Sequence, residues 1–485
     1  MHPSLVRAAK NAVPVHLVTA KDAKAFLAGH RSRAGLAAAG FAGREGEPVP
    51  LMLGAKVSAW VLGLGEGNDI FAAAILAEKL PDGVYRLGEM PAAISAEQAV
   101  LAWLLGTYSF TRYKAKTRKV PRLALPEGVD GAEISRIAQA IFLSRDLINT
   151  PANDMGPDEL AAAAKALAAN HGAKVRIIKG ATLKKNFPLI EAVGRGSSRA
   201  PRLIDFRWGN ASAPRVTLVG KGVCFDTGGL DLKPSAGMLT MKKDMGGAAV
   251  ALGIAAMVMG AKLKLNLRVL IPAVENAVSG NAFRPSDVFT SRKGLTVEIG
   301  NTDAEGRLIL ADALALADEE TPELLIDIAT LTGAARAATG MELPPFFTND
   351  EILAAELSRL SMTVSDPLWR LPLWQGYDFS LGSRVADLNN NPTYAYAGAI
   401  TAALFLKRFV TKTRGWAHLD IPAWSDRARP GRPIGGEANS ARAIYALLKE
   451  RYASPPLREA HKRGGGRSTQ TAKRSLRAKV GGSNE

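Results

Sequence analysis

Cysteine is almost missing from this 485-residue chain: Cys224 stands alone. One thiol cannot close an internal bridge, so a disulfide scaffold is excluded. Thiolate zinc fingers and iron–sulfur centres are excluded for the same reason. Histidine is scarce too. His2, His16, His30, His171, His418 and His461 are scattered, and no two stand at zinc-ligand spacing. None is assigned to a metal, and His418 reads as a core residue or a support for other side chains. Long apolar runs are few. The most apolar, Met245–Ala261, is Ala/Gly-rich and flanked by Lys242, Lys243, Asp244 and Lys262. It is shorter than the roughly 20 residues a bilayer span needs, so it reads as a buried helix. The N-terminal stretch lacks the continuous apolar core of a secretory signal. The expectation is a cytoplasmic protein with no membrane partner.

What the chain does have is an ordinary globular composition, 47% apolar and 22% charged. That permits a sizeable core and excludes wholesale disorder. The length suits two or three domains. Net charge is +17. Such a field favours anionic partners, nucleic acid among them, but says nothing about fold. About a third of it sits in Ser454–Glu485, which is rich in Gly, Ser, Thr and Arg. That stretch cannot bury enough surface to offset its ordering entropy and is expected to be a basic disordered tail.

Candidate strands (Val15–Thr19, Val57–Gly63, Gly83–Leu87) alternate with helical stretches such as Ala96–Leu105 over residues 1–130. This predicts a small N-terminal α/β domain without a cluster of catalytic residue types. Pro121–Asp130 is turn-rich. An amphipathic helix, Ala132–Asn149, is expected to connect it to a larger domain over 150–453. There the short apolar runs Lys174–Ile178, Arg202–Trp208, Val216–Gly220, Leu267–Pro272, Leu324–Thr330 and Ala417–Ile421 alternate with helices Pro157–Asn170, Met245–Gly260 and Gly306–Ala317. The pattern predicts a mostly parallel central sheet covered by helices, with ligands beyond the carboxyl ends of the strands.

Two charged clusters follow strands. The first, Val219–Ala249, sets Lys221, Asp226, Lys233 and Asp244 on a Gly-rich stretch leading into a helix. A solvated loop is one reading; charges that need partners in an apolar setting are the other. The second, Thr296–Ala317, places Asp303, Glu305 and Arg307 at alternate positions before an apolar helix. N-capping accounts for one acid, but not for the alternation. Together the clusters offer carboxylate oxygens, which suit Mg, Mn and Zn and can bridge two cations. Cys224, inside the first cluster, reads as a small buried hydrophobe rather than a nucleophile. Gly220–Gly222 is not a phosphate loop, because the upstream glycine and the Ser/Thr after lysine are missing.

These clusters resemble the signatures of the cytosol (leucyl) aminopeptidase family of metallopeptidases. NTDAEGRL at Asn301–Leu308 looks like that family's hallmark. Val219–Met238 looks like its partner signature, and DIATLTGA at Asp327–Ala334 is a third match. Arg145–Asn153 and Trp416–Ile421 resemble the family more weakly. The resemblance implies a two-metal site of Zn or Mn. Lys221, Asp226, Asp244 and Glu305 would hold the tighter ion; Asp226, Asp303 and Glu305 would hold the more exchangeable one. Two adjacent cations can keep a lysine neutral. They can also lower the pKa of a shared water from about 15.7 toward roughly 7, making it the nucleophile for a peptide carbonyl. By the same resemblance, Lys233 faces the developing oxyanion, and Arg307 with the backbone near Leu331 holds a bicarbonate that serves as general base. Met241, Thr330 and Gly333 would line the pocket for the first side chain. The partners implied are peptides with a free N-terminus and, for the protein itself, a homohexamer. After Leu419-Asp420-Ile421 this chain runs straight to Pro422-Ala423-Trp424, where the family usually carries Ala-Gly and a residue or two more. Part of the pocket wall is therefore expected to differ. A nucleic-acid-binding role for the basic surface and tail is the alternative from the binding class.

Overall fold

The structure, a computed structural model, describes residues 1–453 apart from residues 8, 30–32, 39, 47, 68 and 116–118. The stretch Ser454–Glu485, expected to be a disordered tail, lies outside the described residues.

The N-terminal sheet has six strands: β1 (Leu5–Val6), β2 (Val13–Val18), β3 (Val49–Leu53), β4 (Lys56–Gly63), β5 (Val84–Leu87) and β6 (Arg122–Ala124). Their order is β1-β6-β5-β2-β4-β3, and every neighbouring pair is parallel except β3 with β4. The sequence assigned Pro121–Asp130 to turns, yet β6 falls inside it. Leu123 is fully buried and its N–H donates to Ser4 O at 2.8 Å, so a strand here fills the gap between β1 and β5.

The larger sheet has nine strands. They are β7 (Lys174–Lys179), β8 (Arg202–Gly209), β9 (Arg215–Gly220), β10 (Gly222–Asp226) and β11 (Asn266–Asn276), followed after an interruption by four more. The interruption is β12 (Val288–Thr290) and β13 (Thr296–Glu298), which belong to a small separate sheet. The four others are β14 (Leu324–Ala329), β15 (Pro345–Phe347), β16 (Trp369–Arg370) and, after β17 (Leu388–Asn389) of the small sheet, β18 (Gly415–Asp420). The order is β16-β15-β18-β14-β9-β11-β8-β7, with β10 also on β11. The centre, β18-β14-β9-β11-β10, is parallel throughout. Antiparallel pairs flank it on both sides: β8 and β7 on one, β15 on the other. β14 reads LLIDIA and is buried at every position, as a strand covered on both faces must be.

Helices cover both faces. Gly131–Asn149 starts where Asp130 accepts hydrogen bonds from the N–H groups of Ala132 and Glu133 at 3.0 Å. It packs on Gly246–Gly260: Ser144 Oγ donates to Ala249 O at 2.9 Å. The second helix is apolar all round and buried almost all round, which is why it shows no amphipathic face. The one helical stretch long and apolar enough to cross a membrane, Met241–Gly260 among the described residues, is thus a core element. One apolar core runs from Trp103 through Ile141 and Ile254 to Leu218; a second, with Leu270, Leu310, Phe405 and Trp416, covers the opposite face.

This architecture aims several strand ends at one place. Lys221 follows β9, Asp226 ends β10, Thr330 follows β14 and Asp420 ends β18.

Candidate active site

The sequence treats Gly222–Asp226 as part of a loop. It is a strand instead, paired in parallel with β11, and this fixes Asp226 on the edge of the buried sheet. Asn276 Nδ2 donates to Asp226 Oδ1 at 2.9 Å, and the Gly228 N–H donates to the same oxygen at 2.9 Å. The turn beyond uses Gly228 and Gly229 at φ of +90° and +66°. A side chain at Gly228 would meet Asp231 O at 2.4 Å, so both backbone sign and space call for glycine. Asp244 sits on the short 3₁₀ turn Met241–Met245 that leads into Gly246–Gly260.

The second cluster was expected to end a strand at Asn301–Asp303. β13 stops earlier, at Glu298, and Asn301–Ala304 form the turn before the helix Glu305–Glu319. Asn390 shapes that turn. Its Oδ1 accepts from the Gly300 N–H at 2.7 Å, and its Nδ2 donates to Asn301 O at 2.8 Å. Glu305 is the first helical residue and is 1% exposed.

These turns converge. One carboxylate oxygen from each of Asp226, Asp244 and Glu305 lies within 4.8 Å of the others. Lys221 Nζ stands 2.7 Å from Asp244 Oδ2 and 2.9 Å from Glu305 Oε1, and donates to Thr330 O at 2.9 Å. Lys233 Nζ stands 2.9 Å from Asp226 Oδ2 and also pairs with Asp303. Burial pushes the Glu305 carboxyl up to about 8, helped by the charge of Asp226. Burial and the charge of Asp244 push Asp226 up to about 6. Burial works against Asp244 as well, but the charges of Lys221 and Lys243 and the bonds from Lys221 and Thr330 together outweigh it and hold that carboxyl low. For Lys221, burial opposes the charge, and the surrounding acids overcome it and raise the ammonium.

The cluster therefore carries more buried carboxylate than its two lysines neutralise. Asp244 Oδ2 and Glu305 Oε1 are buried and share a single ammonium, that of Lys221. Converging carboxylate oxygens with more lone pairs than one ammonium can satisfy are what a divalent cation takes up. The residues present fit divalent metal.

A cavity of about 660 Å³ opens over the cluster. Lys221, Asp226, Lys233, Asp244, Asp303 and Glu305 line it. Met241, Thr330, Leu331, Gly333 and Arg307 line it as well. All the site residues singled out in the sequence thus share one cavity. Arg307 is 8% exposed; its Nη1 donates to Asn390 O at 2.7 Å, while its Nε is buried without a partner. Burial lowers its guanidinium to about 10. The Leu331 N–H, expected to help hold an anion, donates to Asp420 Oδ1 at 2.9 Å instead. Asp420 at the end of β18 also accepts from Thr332, so its charge organises the start of the next helix.

Cys224 is buried and its thiol is pushed up by burial, as befits a small core side chain. His418 is fully buried; its Nδ1 meets Asp327 Oδ1 at 2.5 Å, and Trp416 Nε1 donates to Asp327 Oδ2 at 2.9 Å. It supports β14 and β18 and does not line the cavity. Sequence reasoning missed Lys243, Arg336, Asn390 and Asp420. Lys243 had been read only as a flank of the apolar helix, yet it is 4% exposed and lines the cavity, as does Arg336. Burial lowers the Lys243 ammonium to about 8; Asp244 pulls it back up and Arg336 pushes it down.

Carboxylates and a lysine gathered at the ends of parallel strands, beneath an open cavity and without a histidine or thiolate ligand, define a metallohydrolase built on oxygen ligands. Sequence comparison narrows the class. Residues 142–445 match the catalytic domain of the cytosol aminopeptidase family, and residues 13–126 match the M17 aminopeptidase N-terminal domain. The chain belongs to the cytosol aminopeptidase (M17) family and is a metallo-aminopeptidase acting on peptides. A probable cytosol aminopeptidase of Syntrophotalea carbinolica is 38% identical over 447 residues, 84% of this chain and 90% of that one. The crystal structure of the Coxiella burnetii cytosol aminopeptidase superposes with a TM-score of 0.89 at 46% identity, covering 93% of this chain and all of that one. The bottromycin maturation enzyme BotP, in complex with Mn, gives 0.81 at 34% identity over 91% of this chain and all of its own.

Proposed function

We propose that the enzyme releases N-terminal amino acids with the help of two divalent cations, Mn or Zn, shared among Lys221, Asp226, Asp244, Asp303 and Glu305. The observation that carries this is the convergence of three buried carboxylates, one oxygen from each of Asp226, Asp244 and Glu305 lying within 4.8 Å of the others. Lys221, Asp226, Asp244 and Glu305 would hold the inner ion, and Asp226, Asp303 and Glu305 the outer one. Asp303 is the most exposed of the five side chains, in keeping with an ion that exchanges. Lys221 would bind as the neutral amine, a state that nearby cationic charge favours.

When bound, the cations supply Lewis acidity that acidifies a water and polarises the peptide carbonyl. The chain supplies the rest. The Lys233 ammonium, more exposed than Lys221, provides positive charge for the developing oxyanion. Arg307, with its free Nε, holds an anion such as bicarbonate as the proton acceptor. Among the described residues, no histidine lines the cavity to take that part. Met241, Thr330 and Gly333 form the wall against which the first side chain packs. The reading includes a homohexamer located in the cytoplasm, and a domain division at about residue 130 with Gly131–Asn149 as the connector.

Hydrolysis of amino-acid anilides by the full chain tests it. Activity should vanish with chelator and return with Mn²⁺ or Zn²⁺. Folded, metal-loaded protein that releases no amino acid from a broad panel would refute the reading.

A further inference from the structure

We propose that the pocket for the substrate's first residue is built to take an acidic side chain, held by Arg336 and Lys243. This deepens the aminopeptidase reading and rests on it.

The cavity contains five cationic side chains: Lys221, Lys233, Lys243, Arg307 and Arg336. Three have work within the protein. Lys221 and Lys233 each face two carboxylates, and Arg307 donates to Asn390 O. Lys243 and Arg336 differ. Among the described residues, neither has a carboxylate within ion-pair distance or donates a hydrogen bond. Lys243 is nonetheless 4% exposed. A buried ammonium without a direct ion-pair partner is costly: Asp244 and Asp420 act on Lys243 only from beyond that distance, and the Arg336 charge opposes them.

Their position says which part of a substrate they meet. Lys243 lies on the turn that carries Met241 and Asp244. Arg336 lies one turn along the helix Gly333–Thr339 from Gly333. A Cβ built on Gly333 would come 3.8 Å from Arg336 Nη2, so the guanidinium sits directly over that glycine. Met241, Gly333 and Thr330 are the residues assigned above to the first side chain. The polar groups nearby are already engaged with other partners. Thr330 Oγ1 is engaged with Asp244 Oδ1 at 2.7 Å, and both Asp420 oxygens are taken by Leu331 and Thr332. A glutamate or aspartate side chain of the substrate supplies the direct ion-pair partner that Lys243 and Arg336 both lack. The planar guanidinium suits a carboxylate through two parallel bonds, and the lysine adds a point charge from below.

The test uses full-length, Mn-loaded enzyme and aminoacyl-anilides, which lack any other carboxylate. Glutamyl and aspartyl substrates should exceed glutaminyl in kcat/KM by about tenfold or more, because a pocket with unpaired charge rejects the neutral isostere. Arg336→Gln should cut the glutamyl-to-leucyl ratio by about tenfold or more. Arg336→Glu should shift preference toward lysyl and arginyl substrates, a gain that misfolding cannot produce. By calorimetry, free L-glutamate should bind the holoenzyme more tightly than L-glutamine. If leucyl or alanyl anilide is cleaved while glutamyl is no better than glutaminyl, the acidic pocket is overturned and the peptidase stands. If no anilide is cleaved by folded, loaded enzyme, both readings fall.

Discussion

Lys221 Nζ lies 2.9 Å from Glu305 Oε1, and the contact exists because the residue after Glu305 is a glycine. A Cβ on Gly306 would come 2.5 Å from Lys221 Cε and 2.7 Å from Nζ. The glycine thus leaves the channel through which the lysine reaches the carboxylates. Gly306→Ala should displace Lys221 and lower metal affinity and activity by about 10- to 100-fold, as losing the support of a ligand does. Metal content after dialysis and kcat/KM check this together. Unchanged metal content would show that Lys221 is no ligand.

Proton release gives a second check. Glu305 is held up to about 8 in the metal-free protein and so is protonated at neutral pH. Lys221 is raised and protonated as well. Binding of Mn²⁺ requires both to give up their protons. Calorimetric titration at pH 7 in buffers of different ionisation enthalpy should report more than one proton released per subunit. Zero release would contradict the ligand set.

Asp312 offers a pH test that no metal touches. It is buried in the helix Glu305–Glu319 and accepts from the N–H groups of Leu189, Ile190 and Arg292. Burial outweighs those bonds and raises its carboxyl from 3.8 to about 7. Between those values the native state keeps a proton that the unfolded chain gives up. Its contribution to stability is complete below the unfolded value and is lost as pH rises toward the folded one. The slope for one proton is about 1.4 kcal/mol per pH unit. Asp312→Asn should flatten the decline of urea-unfolding stability over that window. An unchanged slope would contradict the assignment.

Arg145 is fully buried, stands 2.9 Å from Glu437 Oε2, and donates to Gly431 O at 2.9 Å. It ties Gly131–Asn149 to the C-terminal segment. Arg145→Met should cost about 3–5 kcal/mol, because Glu437 is left buried without its partner. Urea unfolding measures the loss. A change under about 1 kcal/mol would show that Glu437 finds another partner.

Much of this was legible in the chain. β9, β14 and β18 announce themselves as short apolar runs; Lys221 stands where β9 gives way to charge, and Asp303 and Glu305 stand just before an apolar helix. The missing thiolate and paired histidine ligands already pointed any metal site toward carboxylates. What stayed hidden depends on three-dimensional neighbours. β10 lies between Gly220 and the Gly228-Gly229 turn and reads as loop until β11 is there to pair with it. Lys243 reads as a flank because its burial comes from elements distant in sequence, β10 and the helix Gly131–Asn149 among them, packing against its turn. Asn390 lies some 85 residues beyond Glu305 in sequence, in an Asn-rich stretch without periodicity, and nothing local marks it as the residue that shapes the Gly300–Ala304 turn. The +17 charge, prominent in the composition, says little about a site in which buried acids and bases stand interleaved.

The central claim is that carboxylates shared around Glu305 hold catalytic metal. Hydrolysis of a leucyl or glutamyl anilide by wild type and Glu305→Gln, each with and without chelator and Mn²⁺, tests it most directly. Wild type should lose activity to chelator and regain it with Mn²⁺, while Glu305→Gln, folded by circular dichroism, should fall by at least about 100-fold and not recover. Near-normal turnover by Glu305→Gln, or full wild-type activity in chelator, would contradict it.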